Sequence, residues 1–381
     1  MQGPVPPQIP TQWPATSSGG PPDLRRNRRG RGWMWFSLLL IGMLATSVLL
    51  NLTFGFRGFR KTFATAHSRH LDDNLTEEVM ENNDSSHKIA VIRIEGVIGG
   101  QSADSDGSTL AELVRDQLDR AASDSAVKAV ILKVDSPGGE VMASDEIYQL
   151  VRDFQKKPNG KPVVASMGNL AASGGYYVSA PCRWIVANEL TLTGSIGVIM
   201  HGLNYRGLMD KVGVRPQVFK SGRFKDMLSG MKTPEEESAE EKAMVQEMVM
   251  ETYAKFRSVV EEGRAWAASQ NAGADDEKDR GRKLVRDWGD YADGRILSGK
   301  SAYEKGFVDE LGNFDTAVAR AQELAGIDDS NVVEYRLPFR FGGLLRLLGQ
   351  TGARGVKVDL GFDFPRLATG RLYFLAPTFF N

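Results

Sequence analysis

One serine, Ser173, sits among small residues in the string Gly168-Asn169-Leu170-Ala171-Ala172-Ser173-Gly174-Gly175-Tyr176-Tyr177, directly after a β-rich run at 162–167. A serine flanked in this way suits a strand-to-helix corner, where its hydroxyl and the following amides face one point. Such a hydroxyl is a weak nucleophile until a base takes its proton. Histidines are scarce: His67, His70 and His87 fall in a polar stretch ahead of the apolar strands, and His201 is the fourth. A histidine triad is therefore hard to assemble, and lysine becomes the base to consider. Lys220 and Lys225 both stand in the basic loop Lys220-Ser221-Gly222-Arg223-Phe224-Lys225-Asp226. An ordinary lysine, with a pKa of about 10.4, is protonated at neutral pH, so a lysine base needs apolar surroundings that disfavour the ammonium. Asp226 would oppose that effect if it faced the amine, so it is expected to point away.

If a helix begins at Ser173, the Gly174 N–H and the positive helix end face a developing oxyanion. A second donor is available in Asp135-Ser136-Pro137-Gly138-Gly139, where glycine lets the backbone approach a carbonyl without a Cβ clash. One such donor is typically worth about 3–4 kcal/mol of transition-state stabilisation.

Other chemistries find less support. The run Gly294-Arg295-Ile296-Leu297-Ser298-Gly299-Lys300-Ser301 satisfies the phosphate-loop expression, but a polar, glycine-containing stretch precedes it rather than a buried strand. No nucleotide is expected there. Cys182 is the single cysteine, with no histidine nearby, and no His/Cys cluster suggests a metal. No cofactor is therefore expected. A net charge of −1 gives no electrostatic argument for nucleic acid.

Residues 1–32 hold seven of the sixteen prolines and end in Arg25, Arg26, Arg28, Arg29 and Arg31. They are expected to form a disordered leader. Residues 33–56 carry no charge over 24 positions, enough as a helix to span a hydrocarbon core of about 30 Å. Arginines outnumber the cations that follow (Arg57, Arg60, Lys61), placing the N-terminus in the cytoplasm and the bulk of the chain outside it. Ala64-Thr65-Ala66 mimics a signal-peptide cleavage site, but the apolar run exceeds the usual h-region of about 7–15 residues. Residues 57–87 read as a polar stalk.

Beyond the stalk, strands are expected at 88–97, 129–134, 163–167, 184–187, 196–200 and 216–219. Helices are expected at 109–122, 141–154, 173–180 and 314–325. Thr233-Pro234-Glu235-Glu236 has the form of a capping box and predicts a long helix to about residue 264. This alternation argues for an α/β domain with a largely parallel sheet. Residues 327–381 form a Gly-, Phe- and Leu-rich extension with no assigned role.

Four motifs in order then carry a resemblance: Asp135-Ser136-Pro137-Gly138-Gly139, Ser173 within Ala-Ala-Ser-Gly-Gly-Tyr-Tyr, Thr193-Gly194-Ser195-Ile196-Gly197-Val198, and Lys225. They resemble the signal peptide peptidase A family, serine–lysine membrane proteases, over roughly residues 88–326. The 52-residue interval from Ser173 to Lys225 suits the family's single-domain form. The resemblance implies a Clp-protease-like, crotonase-related spiral of βα units. It implies Ser173 as nucleophile, Lys225 rather than Lys220 as base, oxyanion donors from Gly138-Gly139 and from Gly174, and Ser195 holding the neutral amine; of the first pair Gly139 is chosen over Gly138. By the same resemblance the protein is an endopeptidase of membrane-associated peptides such as remnant signal peptides. It would form a ring-like homo-oligomer at the bacterial inner membrane, with Lys225 able to serve a neighbour's site. A stomatin-partner protease with one dedicated substrate and a noncatalytic crotonase-like scaffold stay open as alternatives.

Overall fold

The computed structural model describes residues 39–40, 42–44, 46–47, 75–99, 108–337 and 372–376. The expected leader at 1–32 and most of the expected span at 33–56 lie outside them. The described residues between 39 and 47 are helical, and the Thr46 hydroxyl donates to the Gly42 carbonyl at 2.7 Å. Among the described residues no helix is long and apolar enough to cross a membrane. By its internal contacts the chain divides into residues 1–69 and 70–381. The second unit holds the sheet.

That sheet grows from apolar central strands buried on both faces, with a polar, exposed strand at one edge. Strands β1 (Thr76–Glu81), β2 (Lys88–Glu95), β3 (Val127–Ser136), β5 (Val163–Ala172), β6 (Trp184–Ala187), β9 (Glu310–Leu311) and β10 (Asn331–Arg336) lie in the order β1-β10-β2-β3-β5-β6-β9. Pairing is parallel from β10 through β9, and β1 joins antiparallel. Strand alternation serves two cores. Ile89, Val91, Ala129 and Ile131 pack under helix α7 (Phe314–Ala325) through Ala317 and Ala321. Ala90, Ile92, Val130 and Leu132 face the opposite core with α1 (Leu110–Ser123) and α2 (Val141–Lys156). Parallel strands covered on both sides read as continuous apolar runs for this reason.

Several expectations are corrected. β1 lies within the span read as stalk, and β10 lies beyond residue 326, so the folded unit exceeds 88–326 at both ends. Residues 216–219 form no strand, because no neighbouring strand pairs with them and Phe219 is 93% exposed. Residues 196–200 make only a single bridge, Ile199 to Tyr373. Beyond the short helix α4 (Arg206–Lys211), the long helix α5 runs Ala239–Asn271, not from Thr233. Glu236 does accept from the Thr233 N–H, but a second capping box forms between Ser238 and Glu241 and starts the continuous helix.

One face of the C-terminal half of α5 is buried, and Gly263 permits close crossing: a Cβ there would lie 2.4 Å from the Ala180 carbonyl. At the next residue, buried Arg264 pairs with Asp309, whose other bonds come from the Ile185 and Arg282 amides at 2.9 Å each. This carboxylate ties α5 to β6. Asp309→Ala is expected to lower stability by about 3–5 kcal/mol, because it leaves a buried guanidinium unmatched. Arg115→Ala, which removes an exposed pair with Glu146, should change it by less than about 1 kcal/mol. Urea unfolding read by tryptophan fluorescence checks both; equal effects would contradict the assignment.

Candidate active site

Strand β5 forks. Its first half pairs with β6, while Leu170, Ala171 and Ala172 pair in parallel with β7 (Leu192–Gly194). Ser173 follows at once, with φ 54° and ψ −115°, before the short helix α3 (Gly174–Ser179). A non-glycine residue in this region costs about 1–3 kcal/mol and needs surroundings that impose it. Here the Ser173 N–H donates to the Gly194 carbonyl at 2.8 Å, and the Ser173 carbonyl accepts from the Tyr177 N–H at 2.8 Å. The serine is 1% exposed, and its Oγ has no hydrogen-bond partner. A buried hydroxyl left unpaired is unusual in a folded protein.

The amides beside it are set by close packing. Strand β4 (Gly138–Glu140) bridges Ile98, whose N–H donates to the Gly138 carbonyl at 2.8 Å and whose carbonyl accepts from the Glu140 N–H at 2.7 Å. A Cβ on Gly139 would fall 1.8 Å from the Ile98 carbonyl oxygen. A Cβ on Gly174 would lie 2.7 Å from Ser144 Oγ, 3.0 Å from Gly138 Cα and 3.1 Å from the Gly139 nitrogen. The Gly139 and Gly174 backbones therefore touch. Ser136 holds the turn, its Oγ donating to Gly96 O at 2.6 Å and accepting from the Gly138 N–H at 3.1 Å. Asp135 secures the other side by accepting from the Leu170 N–H at 3.1 Å.

Ala172 pairs with Gly194, so Ser195 continues beside Ser173. Ser195 is buried and also has positive φ, at 50°, with its N–H donating to the Arg295 carbonyl at 2.7 Å. Ser173, Gly139, Gly174 and Ser195 are thus brought together. Lys225 is not. It is exposed in a turn, and the Ser173 hydroxyl has no bond from its amine within one chain. The Asp226 carboxylate is engaged by Lys220 at 2.8 Å and Lys232 at 3.2 Å rather than by Lys225. The Lys220 bond holds that carboxyl below its ordinary pKa.

Sequence reasoning missed one component. Residues 372–376 cross the site as an extended strand that includes β11 (Tyr373–Leu375), antiparallel to β4 on one edge. On the other edge Tyr373 and Ile199 exchange N–H···O bonds at 3.0 and 3.1 Å. The run Leu372-Tyr373-Phe374-Leu375 after a glycine-rich stretch was the available signal.

The remaining motifs behave structurally. Cys182 is buried, and burial pushes its thiol well above the ordinary range. The phosphate-loop-like run contains β8 (Ile296–Ser298) and opens α6 (Gly299–Glu304), so the strand lies inside the pattern. A Cβ on Gly299 would meet the Asn188 carbonyl at 1.9 Å, leaving no open cradle there. Among the described residues no group of three or more His, Cys, Asp or Glu gathers as a metal site.

Comparison with known proteins gives a consistent picture. A family model described as peptidase family S49 matches residues 155–282 and 278–328. An Enterococcus faecium protein, provisionally named signal peptide peptidase SppA, is 38% identical over 69% of this chain and 71% of its own length. A Methanocaldococcus jannaschii protein, provisionally named a protease, is 37% identical over 63% of this chain and 70% of its own. Protease 4 of Haemophilus influenzae is 32% identical over 69% of this chain, but only 39% of that longer protein is covered.

Gly138 tests the packing that holds the two amides. Its φ is +100°, and a Cβ would lie 1.9 Å from the Phe374 carbonyl oxygen and 2.6 Å from the Gly174 nitrogen. Gly138→Ala is expected to slow phosphonylation of Ser173 by a serine-directed phosphonate at least about a hundredfold, the effect of losing one donor. Gly273→Ala, where a Cβ meets nothing within 4 Å, should leave that rate unchanged. Intact-mass kinetics separates the two outcomes.

Proposed function

The chain belongs to peptidase family S49, and we propose that it is a membrane-associated serine endopeptidase whose nucleophile is Ser173 and whose base is Lys225 supplied by a second copy. The observation that carries this reading is the unpaired Ser173 hydroxyl on a strained corner, beside the touching Gly139 and Gly174 backbones. Ser173 would attack a peptide carbonyl, the two amides would hold the resulting oxyanion, and the same lysine would then activate the deacylating water. Ser195, continuing alongside the nucleophile, would hold the incoming amine. The fold assignment proposed with it is the Clp-protease-like, crotonase-related spiral.

Two features favour a shared site. Lys225 does not reach Ser173 within one chain, and the segment around it leaves Leu203, Leu208, Val212, Val218 and Phe219 exposed. An apolar surface of this kind suits burial against another copy in a ring-like homo-oligomer. Seating the amine against apolar neighbours is also what a lysine base requires. Substrates would be extended peptides at the bacterial inner membrane, remnant signal peptides among them, reached by a domain tethered outside the cytoplasm through residues 33–56. No unfolding module is part of this proposal, so substrates must arrive short or already unfolded.

Ser173→Ala and Lys225→Ala are each expected to abolish cleavage of casein. Mixed after co-expression, the two variants should recover roughly a quarter of wild-type activity, the statistical share of sites that join an intact serine to a neighbour's intact lysine. No recovery, with the oligomer intact, would place the base within the same chain. Wild-type cleavage by either single variant would rule out the dyad.

A further inference from the structure

Among the described residues no strand pairs with the turn that carries Lys225, and ion pairs hold it instead. Within the turn the Lys225 N–H donates to the Gly222 carbonyl at 3.2 Å, and the Met227 N–H to the Phe224 carbonyl at 3.0 Å. Lys225 is left exposed, while the neighbouring Asp226 side chain is only 15% exposed. A carboxylate one residue from a lysine base works against it, because its charge stabilises the ammonium form. Here that charge is engaged twice. Lys220 Nζ meets Asp226 Oδ1 at 2.8 Å and also donates to the Arg223 carbonyl at 3.1 Å. Lys232 Nζ meets the same Asp226 oxygen at 3.2 Å.

Lys232 is buried, and its closer partner is Glu241 Oε1 at 2.5 Å. The other oxygen of Glu241 accepts from the Ser238 N–H at 3.0 Å and so caps α5. One carboxylate thereby fastens the start of the helix and the lysine together. The Lys232 carbonyl accepts from Asn204 Nδ2 at 3.0 Å, which fixes the backbone there. Nearby charges pair elsewhere: Arg223 with Glu240 at 2.8 Å, and Lys242 with Glu237 at 3.5 Å. The Glu241 bond holds Lys232 above its ordinary pKa, and the Lys232 bond holds Glu241 below its own, so both stay charged through neutral pH. Toward its other end α5 crosses Ala180, at the close of the helix that follows Ser173. From Glu241 to Gly263 the helix covers about 33 Å. One continuous helix thus runs from the serine-bearing corner to the ion pairs beneath the lysine-bearing turn.

Resting on the protease reading above, we infer that Lys232 is a positioning residue for the Lys225 base: anchored by Glu241 of α5, it acts with Lys220 to hold the Asp226 carboxylate away from the Lys225 amine. Loss of either lysine releases that carboxylate beside the base. With the amine seated against apolar neighbours, opposite charges attract more strongly than in water. The amine then keeps its proton to higher pH, so activity that needs the neutral form appears later as pH rises.

The test measures kcat/KM for casein against pH with the full-length protein, since its rising limb reports the base of the free enzyme. Lys232→Met and Lys220→Met should each move that limb upward by about one unit and lower activity at pH 7 about tenfold. Lys220 is exposed, so its variant carries the test should Lys232→Met fail to fold. Adding Asp226→Asn to either variant should bring the limb back toward its wild-type position, and Lys232→Arg should keep it there. A limb that stays in place in the folded variants overturns the inference and leaves the dyad standing. So does a uniform loss at every pH that Asp226→Asn does not relieve. A wild-type protein that neither labels at Ser173 nor cleaves casein overturns the protease reading and this inference with it.

Discussion

The site depends on the absence of side chains where three backbones meet. Gly138, Gly139 and Gly174 lie so close that a single methyl on any of them would strike backbone or Ser144 within about van der Waals radii. That crowding brings the Gly139 and Gly174 backbones close together beside Ser173. Donors held in a dry place need no reorganisation when charge develops, which is where most of an oxyanion site's effect arises. Ser136 and Asp135 use their side chains on local backbone, so the loop is held by hydrogen bonds rather than by an apolar plug.

The second constraint is strand register. Ser173 keeps its unfavourable backbone angles because the β5–β7 pairing places its N–H on the Gly194 carbonyl, and because α3 begins immediately after it. The same register carries Ser195 alongside. The cost of two left-handed serines is offset by two apolar cores, one on each face of a parallel sheet. The corner is therefore as rigid as the sheet that ends in it. Lys225 belongs to a segment without such support, which fits a group whose position is completed by another molecule.

Local patterns made much of this legible. β6 and α7 run as their apolar spacing predicts, since each is a short element buried against the sheet it follows. Ser173, Gly139, Gly174 and Ser195 could be singled out in the sequence only as members of an ordered set of motifs, and the fold brings these four residues together. The rest depended on partners far along the chain. Residues 216–219 have strand-like composition but nothing to pair with, and residues 372–376 became a strand only through Gly138–Glu140 and Ile199. For α5, two overlapping capping patterns competed, and side-chain bonding between Ser238 and Glu241 decided the start. Tyr177 and Phe256 pack ring to ring at 4.9 Å yet are 79 positions apart, so no sequence window contains that contact.

The most direct test is a crystal structure of the assembled protein after reaction with a peptidyl phosphonate. The account predicts a covalent bond from phosphorus to Ser173 Oγ, the phosphonyl oxygen within hydrogen-bond reach of the Gly139 and Gly174 amides, and the peptide extended between Glu140 and Ile199. A lysine at position 225 of a neighbouring copy should approach the same serine. An adduct on another residue, or a phosphonyl oxygen turned toward solvent with those two amides unused, would contradict it.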